Sequence, residues 1–302
     1  MIIAVAPSNA LGNTLFNHAH LMAAAAECDT RFVNPFLGSY AALFPSTRRD
    51  PLCVGLRRGM SPGGAAPLRR ALCNGLRKLH KAQTASEHRD RSLPGTRIVR
   101  SGWTSTLEAH RGVVLVDREP FRSLAKTTPL LLVEGPLFRF ADRVHFVRRW
   151  RPLIAEYFRP DREVVQRAAK TASLARRGRT HLFGVHVRRG DYKNFIGGRY
   201  FYEWDAYEQL MRGISETWGA NQVAFLVCSD EPVPPDFAAG LTWTAGPGDI
   251  LGDLEALGAC DRLLSPPSSF SGWASFVANK PRYEIVELSH VPQPGDFVQS
   301  QG

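Results

Sequence analysis

Short apolar runs alternate with helical patterns along nearly the whole chain, and this alternation restricts the fold more than any other feature. Apolar runs fall at residues 2–6, 31–34, 97–100, 113–117 and 130–134, then at 181–187, 223–228, 241–244, 262–265 and 283–288. Helical patterns lie at 14–27, 141–158, 163–175, 202–217 and 249–259. Strands joined through helices cannot be hairpin neighbours, so they pair in parallel, with the helices covering the sheet. Residues 182–187 are apolar without alternation, as a strand covered on both faces requires. The run Phe158-Arg159-Pro160-Asp161 breaks the pattern: Pro160 stops one helix and Asp161 suits the N-cap of the next. The 302 residues suffice for two domains. We expect them at 1–159 and 160–302, each a doubly wound sheet of about five strands.

The charge is confined. Net charge is +10, and residues 48–100 alone hold 13 basic and 3 acidic residues, so the remaining chain is balanced. Within that segment, residues 67–82 read as an amphipathic helix. Leu68, Leu72, Leu76 and Leu79 share one face, and Arg69, Arg70, Arg77, Lys78 and Lys81 lie elsewhere. Two readings stand: a contact for an anionic partner such as membrane headgroups or a charged acceptor, or a helix packed on its domain with a solvated basic rim. No helix-turn-helix, zinc finger or aromatic-interleaved RNA motif supports a nucleic-acid partner, although a non-enzymatic polyanion binder remains the rival reading of the basic charge.

Other classes are excluded by what is missing. There is no Walker-type loop, no Gly-x-Gly-x-x-Gly, no Gly-x-Ser-x-Gly and no His-Glu-x-x-His. His18 and His20 are two apart and face different sides of a helix. No Asp-x-Asp pair is available to hold a divalent ion on a diphosphate. Neither a metal nor a cofactor is therefore expected. No stretch of about 18 apolar residues spans a membrane. Residues 1–6 read as a first strand and not as a signal peptide. Five scattered cysteines without Cys-x-x-Cys, and no Asn-x-Ser/Thr sequon, fit a reducing cytosol. The expected location is cytoplasmic, with peripheral attachment to the inner membrane as the option that the basic helix offers.

The run carrying the most chemistry is Gly184-Val185-His186-Val187-Arg188-Arg189-Gly190-Asp191-Tyr192. A buried strand ends in two arginines at its carboxyl end, where α/β folds place their sites. Two forked guanidiniums suit an anion, and Asp191 beside them stays ionised. A salt-bridged turn would account for the same residues. Three further runs belong with this one: Ala10-Leu11-Gly12-Asn13-Thr14-Leu15-Phe16, Asp249-Ile250-Leu251-Gly252-Asp253, and Ser265-Pro266-Pro267-Ser268-Ser269-Phe270-Ser271-Gly272-Trp273-Ala274. Gly12 permits close backbone approach, and Asn13 can cap a helix or reach a ligand. The serine run can cradle an anion at a strand-to-helix turn, or simply cap the helix.

In this order, Leu-Gly-Asn…Phe, His-Val-Arg-Arg-Gly-Asp-Tyr, Asp-Leu…Leu…Cys and Ser-Ser-Phe-Ser…Trp-Ala resemble glycosyltransferase family 11, the α-1,2-fucosyltransferases, with the α-1,6- and protein O-fucosyltransferases as wider relatives. The chain departs from the family pattern at Ala10 and Thr14, and at Gly272 where a second Trp is usual. The resemblance implies a GT-B architecture: two facing Rossmann-type domains, an acceptor-side domain with a basic insertion at 48–100 and a GDP-sugar-binding domain, with a cleft between them. It implies inverting, metal-independent transfer of fucose from GDP-fucose to a glycan hydroxyl. Arg188 would meet the β-phosphate, with Arg189 beside it. His186 and Asp253 would contact the guanosine, while Ser268, Ser269 and Phe270 would line the diphosphate pocket. Gly12 and Asn13 would face the ligand from the acceptor side. Asp191 is the first candidate for the base, with Glu203 and Asp205 behind it. A family relative using another nucleotide sugar is the enzymatic alternative.

Overall fold

A computed structural model describes residues 1–5, 10–50, 71, 73–79, 81–82, 95–99, 114–133, 138–140 and 143–300. The chain divides into two compact units, Met1–Arg159 and Pro160–Gln301.

In the first unit, β1 (Ile2–Ala4) is followed by α1 (Leu11–Glu27), β2 (Phe32–Val33), a 3-10 turn (Pro35–Ala42) and α2 (Pro45–Arg49). Then come β3 (Thr96–Val99), β4 (Val114–Val116), α3 (Arg118–Thr127), β5 (Leu130–Val133), β6 (Phe138–Phe140), α4 (Arg143–Arg149) and α5 (Arg151–Tyr157). The sheet runs β2-β1-β5-β3, all parallel, and β4 pairs with β6 as a separate parallel pair. This differs from the expected five-stranded sheet, because 113–117 supplies a strand that pairs elsewhere. The helix expected over 141–158 is two helices. Trp150, at φ −92° and ψ 0°, leaves the helical path, and Pro152 in the first turn of α5 has no N–H to carry an α-helical bond across it. Helix α1 is buried along almost its whole length, and its alanines let it lie close to the sheet.

In the basic segment, residues 73–79 and 81–82 are helical. Leu76 is buried, and Cys73 Sγ donates to the Pro35 carbonyl at 3.7 Å. Arg77 lies 5.6 Å over the Phe36 ring, and Arg77, Lys78 and Lys81 are exposed. Leu68, Arg69, Arg70 and Leu72 fall outside the described residues.

In the second unit the order is α6 (Arg162–Arg176), β7 (His181–Val187), α7 (Trp204–Trp218), β8 (Val223–Ser229), β9 (Trp243–Ala245), α8 (Ile250–Ala259), β10 (Arg262–Ser265), α9 (Ser269–Ala278), β11 (Pro281–Glu284) and β12 (Val298–Gln299). The sheet runs β12-β11-β10-β7-β8-β9, parallel except for β12. The apolar run 182–187 is central, as its lack of alternation requires. Phe183, Val185 and Val187 join the core beneath α7, with Tyr207, Leu210, Met211 and Ile214. Gly184 faces the other way. A Cβ there would stand 3.0 Å from Leu257 and 3.1 Å from Cys260 Sγ, so the glycine lets α8 pack tightly on the sheet.

The strand order fixes where a ligand can bind. From β7 the chain winds outward through β8 and β9, then returns to β10 on the other side. The switch point therefore lies between β7 and β10, and the crevice opens at their carboxyl ends.

Candidate functional site

Both motifs singled out in the C-terminal half flank this switch point, since β7 runs into Arg188-Arg189-Gly190-Asp191 and β10 into Ser265–Ser271. Register places the remaining residues. His186 pairs with Cys228 on β8, and Leu263 pairs with Arg282 on β11. Side chains alternate along a strand, so His186 faces away from the core that holds Val185 and Val187. Its ring lies 5.1 Å from that of Phe270. Beyond Cys228 sits Asp253, whose backbone carbonyl accepts from Cys228 Sγ at 3.8 Å. Gly246 makes that placement possible: a Cβ there would lie 2.5 Å from Cys228 Sγ and 2.7 Å from Asp253 Oδ1.

The same alternation separates the two arginines. Arg188 follows His186 in phase. Its Nη2 bonds Asp191 Oδ1 at 2.8 Å and its Nη1 bonds Asp230 Oδ2 at 3.0 Å, with the side chain still about one-third exposed. Arg189 turns to the α7 side and is 8% exposed. Its Nε donates to Glu231 at 2.9 Å, and its Nη1 donates to Glu203 at 2.7 Å and to the Tyr202 carbonyl at 2.8 Å. The guanidinium also lies 4.7 Å over the Phe201 ring. Burial works against its charge, but the hydrogen bonds it donates to Glu203 and Glu231 hold it above its ordinary pKa. The two neighbours thus have different duties: Arg189 ties the turn to the start of α7, whereas Arg188 stands at the strand end with its carboxylates.

Asp230 was not anticipated, because the expected strand stopped at residue 228. The ladder continues one pair further, Val187 to Ser229, and brings Asp230 beside the turn. Its Oδ1 accepts from the Arg189 backbone N–H at 2.9 Å while Oδ2 holds Arg188. Gly190 leaves room for it, since a Cβ there would meet Asp230 Oδ2 at 3.1 Å.

His186 is 5% exposed, and its Nδ1 is buried with no hydrogen-bond partner. Burial, reinforced by the charges of Arg188 and Arg282, lowers its pKa to about 3, so the ring is neutral. A buried polar atom without a partner costs stability unless something else binds it. Asp253 is also buried, and burial raises its carboxyl pKa against the pull of the Gly248 N–H on Oδ1 at 2.8 Å.

Ser268 is the N-cap of α9, accepting from the Phe270 N–H at 3.2 Å, and Ser269 opens the helix. Capping and anion binding are compatible here, because one side-chain oxygen satisfies only one of the free N–H groups of the first turn. Asp191 is 63% exposed at the tip of the turn. Glu203 is the N-cap residue of α7 and engages Arg189, and Asp205 is exposed in the first turn of the same helix.

The first-unit candidates lie at the start of α1. Gly12 is buried and Asn13 half-buried within the first turn of α1. Asn13 is not the cap. Ala10 takes the N-cap position, and its carbonyl accepts from Thr14 Oγ1 at 2.9 Å. Among the described residues no group of three or more His, Cys, Asp or Glu side chains is placed to hold a metal ion, and no helix is long and apolar enough to cross a membrane.

No family model and no curated protein matches the sequence. Solved structures do match in fold. A mutant of FUT1 from Arabidopsis thaliana in complex with GDP superposes with a TM-score of 0.58 at 12% identity, over 99% of this chain and 73% of that one. Fucosyltransferase NodZ from Bradyrhizobium gives 0.51 at 15% identity, over 94% and 95%. NodZ α-1,6-fucosyltransferase soaked with GDP-fucose gives 0.51 at 13%, over 99% of each chain. The fold is therefore α/β of the GT-B type seen in these fucosyltransferases, with a Rossmann-like parallel sheet in each unit.

Proposed function

We propose that the chain is a fucosyltransferase that takes L-fucose from GDP-fucose, binding the nucleotide at the β7/β10 switch point of its C-terminal unit. One observation carries this reading: a forked cation, a capped helix N-terminus and a buried unpartnered imidazole converge at the strand ends where the topology opens a crevice. The fold likeness to proteins solved with GDP and GDP-fucose supports the choice of nucleotide.

In this reading Arg188 bonds the β-phosphate, and the N–H groups of the first turn of α9 face the diphosphate. Asp253 accepts from guanine N–H donors, and the His186–Phe270 pair packs against the nucleoside. The acceptor hydroxyl oxygen forms a bond to the anomeric carbon as the bond from that carbon to the β-phosphate oxygen breaks. The pair of electrons leaves with GDP, and the hydroxyl proton passes to a carboxylate. Asp191 is the exposed carboxylate next to Arg188 and is assigned that task. Charge grows on the diphosphate in the transition state, so a preplaced Arg188 lowers the barrier and not merely the ground state. That supplies without a metal ion the stabilisation that such an ion would give. The configuration at the anomeric carbon inverts, the acceptor is a glycan met by the N-terminal unit with Gly12 and Asn13, and the linkage is α-1,2. Arg189 belongs to the scaffold of the site and not to its ligand contacts.

The test is GDP release from GDP-fucose over a panel of glycan acceptors, with UDP-sugars and other GDP-sugars as controls and EDTA present. Acceptor-dependent release from GDP-fucose is expected. Release only from a different nucleotide sugar would transfer the reading to that donor, and none from any would remove it.

A further inference from the structure

Beneath the start of α9 lies a part-buried ion pair that the reaction above does not use. Arg282, on β11, has a side chain only 11% exposed, and its Nη2 meets Glu284 Oε1 at 2.5 Å. Its Nη1 points at the turn that joins β10 to α9. It donates to Ser265 Oγ at 3.3 Å, to the Ser268 carbonyl at 3.4 Å and to Ser271 Oγ at 3.4 Å. Ser271 Oγ in turn bonds Ser265 Oγ at 2.8 Å. Each contact to Nη1 is long and individually weak. Together they join the last residue of β10, the cap of α9 and its first turn through one rigid planar group.

This is a costly way to fill the space. Leu263, the register partner of Arg282, is fully buried. An apolar residue on β11 would satisfy the sheet without the several kcal/mol needed to dehydrate a guanidinium. A buried cation also works on its neighbours at low effective dielectric. Arg282 and Arg188 both disfavour the protonated form of His186, so the influence of Arg282 extends to the nucleotide side of the turn.

We propose that Arg282 is a positioning residue for diphosphate recognition: it fixes the Ser265–Ser271 turn so that the N–H groups opening α9 stay aligned for a phosphate. The inference rests on the reading that a nucleoside diphosphate binds at this switch point. Arg282 touches backbone and hydroxyls and acts through them, and Glu284, level with Ser265 in the register, balances its charge. The consequence is selective. Loss of Arg282 weakens binding of the phosphates more than binding of the nucleoside, which Asp253 and His186 hold from outside the turn and Phe270 from within it.

The experiment compares GDP and guanosine affinities for wild type, Arg282→Met and Arg282→Lys, by calorimetry and competition, with folding checked by circular dichroism. Arg282→Met is expected to lose about tenfold or more in GDP affinity, or roughly 1.4 kcal/mol, with a clearly smaller loss for guanosine. Arg282→Lys keeps the charge but not the fork and should fall between the two. If the Met variant does not fold, the Lys variant decides, because the advantage of GDP over guanosine must still narrow. Wild-type GDP binding with unaltered variants, or with equal losses for GDP and guanosine, overturns this inference alone. A wild type that binds no GDP overturns the donor reading and this inference with it.

Discussion

The two units solve the same topological problem with different chemistry. Each sheet has a switch point, between β1 and β5 in the first unit and between β7 and β10 in the second. In the first, the helix after β1 begins Leu11-Gly12-Asn13-Thr14, with no acidic residue in its first turn and no basic residue in its last. The buried polar groups there are mostly neutral, with His18 Nδ1 meeting the Asn34 amide at 3.2 Å and His20 Nδ1 accepting from the Phe140 N–H at 3.0 Å. In the second, Arg188, Arg189 and Arg282 are set among Asp191, Asp230, Glu231, Glu203 and Glu284. A strand end loaded with mutually held charges is prepared for a charged ligand, and among the described residues the start of α1 carries no such cluster. Strand order alone thus repeats in the two sheets, and the side chains at the strand ends set the second unit apart as the one suited to an anion.

The sharpest way to break the contrast is Arg188→Ala. Transfer from GDP-fucose should fall by roughly 100-fold or more, the scale for removing a preorganised charge donor. The protein should stay folded, because the side chain is part-exposed at a strand end. Near-normal turnover by a folded variant would take Arg188 out of the site.

The neighbouring substitution should act on stability. Arg189→Met strands Glu231 and the Tyr202 carbonyl and should cost roughly 2 kcal/mol or more. That is less than the ~3–5 kcal/mol of a fully buried pair, because Glu203 is exposed. Urea unfolding of the second unit checks it, and an unshifted midpoint with lost GDP binding would reverse the roles given to the two arginines.

Their division was legible in the sequence, though only by carrying the two-residue period of β7 past its end. His186 and Arg188 share a phase, and Val187 and Arg189 share the other. The apolar run 181–187, its polar end and the serine turn were readable because a strand covered on both faces leaves an unbroken signal. What was not readable follows from small shifts in strand ends. The strand expected to begin at Tyr283 begins at Pro281, which brings Arg282 into the sheet, and the longer β8 carries Asp230 beside the turn after β7. Helix α3 went unseen because it buries only Phe121 and Ala125, too few for a stripe. Strand β6 is three residues beside Pro136, too short for alternation to show.

Acid should erode both units, each through one histidine. Burial lowers the pKa of His18 to about 3, as it does for His186. The unfolded chain takes up these protons near pH 6.5 and the folded chain does not. The stabilising contribution is therefore complete above about 6.5 and is lost as pH falls toward 3. Urea midpoints between pH 7.5 and 4.5 should drop, and bound GDP should reduce the loss in the second unit but not in the first. A flat profile would contradict the neutral, buried state of both rings.

The remaining comparison concerns the basic segment, away from both strand ends in sequence. Changing Arg69, Arg70, Arg77, Lys78 and Lys81 to Gln should leave GDP binding unchanged. Each lost charge should weaken low-salt pelleting with anionic liposomes by about 1 kcal/mol per basic residue at the surface. Equal pelleting of the two proteins would leave this segment as a solvated face.

In the proposed function the β7/β10 strand ends bind a guanosine diphosphate through Arg188. Calorimetric titration of GDP and UDP into wild type and Arg188→Ala, with EDTA present, tests it most directly. Wild type should bind GDP saturably and UDP much more weakly, and the variant should lose at least tenfold in GDP affinity. Equal affinity for both nucleotides, or GDP binding untouched by loss of Arg188, would contradict it.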